Sequence, residues 1–263
     1  MTQTLSHDAQ RLADIAFEAG IVILRHYEAE AVETREKSDA SPVTAADEEA
    51  EAVILTELRA HWHGVPVVAE EEVAAGRGGV SGAHFFLVDP LDGTKEFINR
   101  NGEFTVNIAE IVDGTPVKGV VYAPALGRMW LGDGANGAFE LTLEARTPPD
   151  LAKARRIEAR AAPADGLVAV ASRSHRDPAT EEYLKTFPVK DFRAAGSSLK
   201  FCLVAAGEAD IYPRLGTTME WDTAAGHAVL LSAGGSVTTV DGGAFPYGKP
   251  GFKNPHFVAR GKA

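Results

Sequence analysis

The chain has 263 residues, 45% of them apolar and 24% charged, with a formal net charge of −11. That is enough chain for one large domain or two small ones with a substantial core, and the negative balance excludes a role in coating nucleic acid. Cys202 is the one cysteine, so no disulfide forms within the chain, and no uninterrupted apolar run reaches the roughly 20 residues of a membrane span. Met1 to Asp8 lacks the charged and apolar regions of a leader. A cytoplasmic protein without integral membrane contact is expected, with peripheral contact at the inner membrane left open. The sequence carries no sign of oligomeric state.

Leu12, Ile15, Ala16, Ala19, Ile23 and His26 recur at helical spacing and predict an amphipathic helix from about Asp8 to Tyr27, with Ala19-Gly20 allowing close packing. Glu33 to Ser41, which contains Lys37, reads as extended or loop-like. Thr44 followed three residues later by Asp47 is a helix-start pattern, and it opens a second helix running to about His61. Val65 to Ala69 reads as a short strand that ends in Glu70-Glu71-Glu72, before the glycine-rich segment Gly76 to Gly82. Phe85-Phe86-Leu87-Val88 predicts a buried strand. It leads into Asp89-Pro90-Leu91-Asp92-Gly93-Thr94. Phe104 to Ala109 and Pro116 to Tyr122, joined at Asp113-Gly114, predict a hairpin. Met129 to Gly132 and Gly137 to Leu143 extend it into an antiparallel sheet.

Glu144 to Arg160 is charged and proline-containing, and reads as a connection. It divides the chain into an N-terminal α+β half, 1–147, and a C-terminal α/β half, 148–263, together one compact unit. In the second half strands are expected at Leu167 to Ala171, Val189 to Ala194 and Ala209 to Tyr212, and helices at Pro178 to Phe187 and Ser198 to Ala206. Cys202 lies within the latter helix, where core packing is its expected role. A last long helix from Trp221-Asp222 to Gly234 precedes strands Ser236 to Val240 and His256 to Ala259. Such alternation implies an α/β fold with a partly parallel sheet and helices on its faces.

The stretch around Asp89 carries the chemistry. Pro90 and Gly93 impose an irregular backbone, so that Asp89, the Leu91 carbonyl and Asp92 can converge. Three hard oxygen donors at a strand end suit Mg²⁺. Gly93 and Thr94 offer backbone N–H groups at a helix start, an anion site. Each feature also has an ordinary structural reading. Asp-Pro and Asp-Gly are common turns. Asp47, Asp222 and Ser197 or Ser198 suit helix caps, three glutamates suit a solvated face, and Lys200 and Arg214 suit exposed charges.

Asp89-Pro90-Leu91-Asp92-Gly93-Thr94 resembles the signature of the inositol monophosphatase superfamily, and Trp221-Asp222-Thr223-Ala224-Ala225-Gly226 resembles its second signature. Pro42-Val43-Thr44-Ala45-Ala46-Asp47 and the Glu70-Glu71 pair are similar to two further elements. Lys95-Glu96-Phe97 is similar to one branch, the bacterial 3'(2'),5'-bisphosphate nucleotidases. The resemblance implies a layered αβαβα sandwich and a lithium-sensitive phosphatase of sulfur metabolism with two or three Mg²⁺ ions per site. It implies metal ligation by Glu70, Asp89, Asp92, Asp222 and the Leu91 carbonyl, with Glu71 in place of Glu70 if the register slips by one. Catalysis would involve Glu70 and Thr94, with Thr94 polarised by Asp47 to orient an attacking water. Gly93, Thr94, Lys95, Ser197, Ser198, Lys200, Arg214 and Asp222 are the expected substrate contacts, and Ser172-Arg173-Ser174-His175 could reach the nucleotide. The implied reaction removes the 3'-phosphate of adenosine 3',5'-bisphosphate, or of its sulfated relative. The competing readings are an inositol monophosphatase or broad sugar phosphatase, a fructose-1,6-bisphosphatase-like enzyme, and a catalytically silent metal- or nucleotide-binding protein. Lys95-Glu96 speaks against the first, where Thr-Asn is usual.

Overall fold

A computed structural model describes residues 5–29, 34–36, 42–78, 82–144, 146–172 and 178–263. Helix α1 (His7–Glu28) is capped by Ser6 and buries Leu12, Ile15, Ala16, Ala19 and Ile23, as their spacing requires. His26 does not join that stripe: it is half-exposed and stands 3.1 Å from Glu49. Strand β1 (Thr34–Glu36) pairs antiparallel with β2 (Pro42–Thr44), while Lys37 lies outside the described residues. Helix α2 (Ala45–His61) follows, with Thr44 and Asp47 forming a reciprocal capping box. Strand β3 (Val67–Ala69) then passes directly into α3 (Glu70–Ala74). The glutamate run therefore opens a helix instead of ending a strand before a loop, and acidic side chains in a first turn suit its positive end.

Strand β4 (His84–Asp92) continues past the apolar run through the motif itself, and α4 (Thr94–Ile98) begins two residues later. Strands β5 (Thr105–Val112) and β6 (Thr115–Ala123) form the expected hairpin, with φ of 48° at Asp113 and 73° at Gly114. Strands β7 (Arg128–Asp133), β8 (Ala138–Thr142) and β9 (Arg155–Ile157) complete the first sheet. β9 lies beyond residue 148, inside the segment read as a connection, so this sheet crosses the expected division of the chain. The remaining elements are β10 (Leu167–Ser172), α5 (Pro178–Leu184), β11 (Val189–Ala195), α6 (Leu199–Ala205), β12 (Ile211–Arg214), α7 (Trp221–Ser232), β13 (Ser236–Thr239) and β14 (Phe257–Arg260).

The first sheet runs β3-β4-β5-β6-β7-β8-β9, and the second β11-β10-β12-β14-β13. Only β3 and β4 run parallel in the first, whereas β11-β10-β12 run parallel in the second. Three apolar clusters fill the four interfaces between five layers, the largest of them reaching both sides of α6 and α7. Phe86, Val88, Val106 and Ile108 face α1 and α2, while Phe85, Leu87, Ala109 and Ile111 on the same strands face α6, α7 and the second sheet. Ala169, Ile211 and Val258 pack against Leu184 of α5 on the outer side. Burial on both faces explains why β4 reads as a continuous apolar run with no alternation. The order of layers is αβαβα.

The central layer is thin because its residues are small. A Cβ at Gly132 of β7 would lie 2.5 Å from the Ala228 carbonyl oxygen of α7, and one at Gly226 would lie 2.6 Å from the Phe201 ring. The Ala224-Ala225-Gly226 run thus lets α7 sit against β6, β7 and α6, which brings its N-terminus to the end of β4.

Candidate active site

The first wall of the site comes from the end of β4. Pairing with β5 is regular to Asp89 and resumes at Asp92 after a register shift, with Asp89 opposite Asn107 and Asp92 opposite Thr105. The Leu91 N–H donates to Asp89 Oδ1 at 3.0 Å, closing the irregular turn around Pro90. Gly93 follows with φ of 93°, and a Cβ there would stand 2.2 Å from Ser197 Oγ. Glycine is needed for both reasons. Thr94 then starts α4, and its hydroxyl lies 3.3 Å from Asp47 Oδ1 and 3.5 Å from the Leu91 carbonyl.

Asp47 serves two elements at once. Its Oδ2 accepts the Thr44 N–H at 2.8 Å and the Thr44 hydroxyl at 2.6 Å, while Oδ1 faces Thr94. One buried carboxylate therefore both caps α2 and contacts Thr94.

The opposite wall comes from α6, β12 and α7. Ser198 occupies the N-cap position of α6 but does not cap it. Its hydroxyl lies 2.9 Å from the Asp222 carbonyl and 3.3 Å from Asp92 Oδ2, so it ties the two walls together. Ser197 likewise has its hydroxyl 2.8 Å from the carbonyls of Asp92 and Glu103. Asp222 is not a cap either: it is the second residue of α7, and its Oδ2 accepts the Met219 N–H at 2.8 Å.

Together these elements enclose a cleft of about 310 Å³. Glu70, Asp92, Asp222, Gly93, Thr94, Lys95 and Glu96 line it alongside Ser197, Lys200, Tyr212 and Arg214. Glu71 instead lines a separate groove with Glu48, Glu51 and Arg59, so the first glutamate of the run, not the second, faces the cleft. Asp89 is buried and is not among the residues that line the cleft. Arg173, Ser174 and His175 lie outside the described residues.

Charge in the cleft is unbalanced. Burial pushes Asp92 up to about 6, with Lys200 opposing and Glu96 and Glu70 adding to the rise. Asp222 is held well above the usual carboxylate range by burial, then by Asp92 and Glu70. Lys200 was expected at the surface or on a second phosphate. It is buried, 2.6 Å from the Ser197 carbonyl and 5.5 Å from the centre of the Tyr212 ring. Burial lowers it to about 8 against the pull of Asp92. Arg214 is half-buried, and its Nε has no hydrogen-bond partner among the described residues.

Among the described residues no three acidic, histidine or cysteine side chains close into a ready ligand shell. The donor chemistry nevertheless fits a hard divalent cation. Glu70, Asp92 and Asp222 approach one cleft from three elements and present oxygen only, with Glu70 adding to the rise at Asp92 and both of them to the rise at Asp222. A cation relieves that repulsion.

Two supports escaped the sequence reading. Glu51 is buried and accepts the Glu71 and Glu72 N–H groups at 2.9 Å or less; its place four residues after Asp47 was the available signal. Asn254 holds Met219 O at 2.6 Å and Thr223 Oγ1 at 3.0 Å behind the start of α7. A lone Asn far along the chain gave no signal.

The sequence model of the inositol monophosphatase family matches residues 5–260. A 3'(2'),5'-bisphosphate nucleotidase CysQ of Salmonella typhimurium is 44% identical, with 94% of this chain and 97% of the relative covered. The CysQ of Escherichia coli is 42% identical at the same coverage. The crystal structure of CysQ from Bacteroides thetaiotaomicron superposes with a TM-score of 0.82 at 39% identity, covering 97% of both chains. With its five layers, its paired carboxylate motifs and these end-to-end matches, the chain belongs to the inositol monophosphatase family.

Proposed function

We propose that the chain is a Mg²⁺-dependent 3'(2'),5'-bisphosphate nucleotidase that removes the 3'-phosphate of adenosine 3',5'-bisphosphate, leaving AMP. The observation that carries this reading is one cleft lined both by the carboxylates Glu70, Asp92 and Asp222 and by Lys200, Tyr212 and Arg214. The relatives named as nucleotidases lend the substrate. A cytoplasmic setting is part of the proposal. Among the described residues no helix is long and apolar enough to cross a membrane.

Phosphate monoesters hydrolyse extremely slowly unaided, so the site must direct a water and neutralise the phosphoryl oxygens. Two or three Mg²⁺ ions, when bound, supply a lowered water pKa and charge neutralisation. Glu70, Asp89, Asp92, Asp222 and the Leu91 carbonyl are the residues that would hold them. The rest falls to the chain. Thr94 donates its hydroxyl proton to Asp47, which leaves a lone pair to accept from the incoming water and fixes its line of attack. Backbone N–H groups of Gly93 and Thr94, with Lys95, meet the phosphate. Arg214 lines the cleft, and its guanidinium would meet the remote 5'-phosphate. Lys200 braces the Ser197 carbonyl and adds positive charge beneath the nucleotide. No side chain acts as nucleophile, so phosphorus is inverted in one displacement.

Phosphate release from a substrate panel tests the reading. The bisphosphate should exceed inositol 1-phosphate in kcat/KM by at least about tenfold, a gap of about 1.4 kcal/mol in transition-state binding. Equal values across the bisphosphate, adenosine 3'-monophosphate and inositol 1-phosphate would leave only a general phosphatase. Undiminished turnover in a chelator would remove the metal.

A further inference from the structure

Helix α3 lacks a cap of its own. Its N-cap residue is Ala69, which makes no side-chain hydrogen bond and is fully buried in the layer between α2 and the first sheet. A polar side chain there would have to displace core, yet the second and third N–H groups of a helix need an acceptor. Glu51 supplies it from another helix. Its Oε2 accepts the Glu71 N–H at 2.8 Å and its Oε1 the Glu72 N–H at 2.9 Å. One carboxylate closes both bonds, in the forked geometry that fixes orientation as well as distance.

The burial of Glu51 has a cost. Its neighbours Glu70 and Glu72 carry like charge, and a carboxylate out of water is expensive unless its oxygens are met. The position of Glu51 suggests what is gained. It lies one helical turn after Asp47 on α2, so one rigid face of one helix holds Thr94 through Asp47 and the start of α3 through Glu51. Glu70 is the first residue of α3, adjacent to the two bonded amides, and faces the cleft. With five residues and none of them buried, α3 has little packing of its own to aim that side chain.

We propose that Glu51 is a positioning residue for the cation site: by clamping the Glu71 and Glu72 amides it sets the direction in which Glu70 enters the cleft. The proposal rests on the reading of Glu70 as a metal ligand. It separates from that reading by experiment.

Mn²⁺ binding to the full-length protein without substrate, followed by electron paramagnetic resonance or calorimetry, reads the site directly. Glu51→Ala should weaken Mn²⁺ binding about 10- to 100-fold, the usual effect of losing a group that orients a ligand. The Mg²⁺ concentration for half-maximal activity should rise by a similar factor, with kcat largely recovered at saturating Mg²⁺. Glu51→Gln, which can meet only one of the two amides, should fall between. Arg59→Ala breaks the 2.8 Å Arg59–Glu72 ion pair on the same helix without touching the amides and should leave the Mn²⁺ Kd unchanged. Glu70→Gln separates the two ideas. If it weakens Mn²⁺ binding while folded Glu51→Ala binds Mn²⁺ like the wild type, the clamp is wrong and the ligand assignment stands. If Glu70→Gln itself leaves the Kd unchanged, both fall together. Should Glu51→Ala not fold, a wild-type Kd in Glu51→Gln overturns the clamp.

Discussion

The two walls of the cleft are built differently. The wall from β3, α3, β4 and α4 takes its chemistry from contiguous runs, Glu70 at one strand end and Asp89 to Thr94 at its neighbour, both buttressed by α2. The wall from α6, β12 and α7 assembles single residues from separate elements: Ser198, Lys200, Tyr212, Arg214 and Asp222. Chemistry common to every phosphate monoester needs fixed oxygens at fixed spacing, which a short motif at a strand end delivers. Recognition of the rest of a substrate needs groups spread over a wider surface, which a short motif cannot deliver. On this view the first wall, joined by Asp222 from the second, sets turnover, and the rest of the second sets substrate choice.

The largest test strikes the first wall. Asp92→Asn should keep the fold and lower kcat/KM by at least about 100-fold, since changes merely beside a metal ligand already cost about 10- to 100-fold. Circular dichroism and steady-state kinetics at saturating Mg²⁺ check it, and near-normal turnover would remove Asp92 from the site. Thr94→Ala comes next. It should lower kcat by about 100-fold with KM nearly unchanged, the pattern of an interaction made mainly in the transition state. If Asp47 serves only the cap of α2, Thr94→Ala leaves kcat untouched and only Asp47→Ala matters, by about 1 kcal/mol of stability.

The walls were unequally legible in the sequence, for the same reason. Asp89 to Thr94 could be read as a site because its residues act within one turn. The five-layer order came from the resemblance of the two signatures, whereas the residues themselves showed the strand-helix alternation and the unbroken apolar run of β4, buried on both faces. The ordinary reading of Lys200 as an exposed charge fails because burial is not local: only the packing of α6 under β12 places its ammonium against the Ser197 carbonyl, at the cleft wall. Ser198 and Asp222 looked like caps since both stand at helix starts, yet the Ser198 hydroxyl bonds across to the Asp222 carbonyl, and the Asp222 side chain accepts the Met219 N–H just ahead of α7. The short strand β9 was hidden in a charged stretch, because an edge strand of three residues with two exposed arginines has no apolar pattern to show.

A smaller effect tests the second wall. Arg214→Ala should reduce kcat/KM for adenosine 3',5'-bisphosphate by about tenfold, the scale of one charge-assisted contact. It should leave adenosine 3'-monophosphate nearly unaffected, because only the bisphosphate has a remote dianion to meet. Equal losses on both nucleotides would assign Arg214 to the reacting phosphate and blur the division between the walls.

A last effect, on stability instead of turnover, concerns α7, the helix that carries Asp222 into the second wall. His227 is buried on α7, with Nδ1 3.0 Å from the Tyr247 hydroxyl, which in turn lies 3.3 Å from Thr223 Oγ1. Tyr247 donates to Thr223, so His227 donates its Nδ1–H and stays neutral. Burial lowers its pKa to about 3 from an ordinary value of 6.5. Between those values the unfolded chain takes up a proton that the folded chain refuses. Stability is therefore intact above about pH 6.5 and declines as pH falls below it, by up to about 1.4 kcal/mol per unit. Replacing His227 with Gln keeps a polar partner for Tyr247 and removes the titration. Urea unfolding at about pH 6.5 and about pH 5 should show the wild type losing about 1–2 kcal/mol more than His227→Gln over that interval. Parallel losses would mean that α7 admits a charged imidazole, and that the layer joining the two walls is less tightly closed than its packing implies.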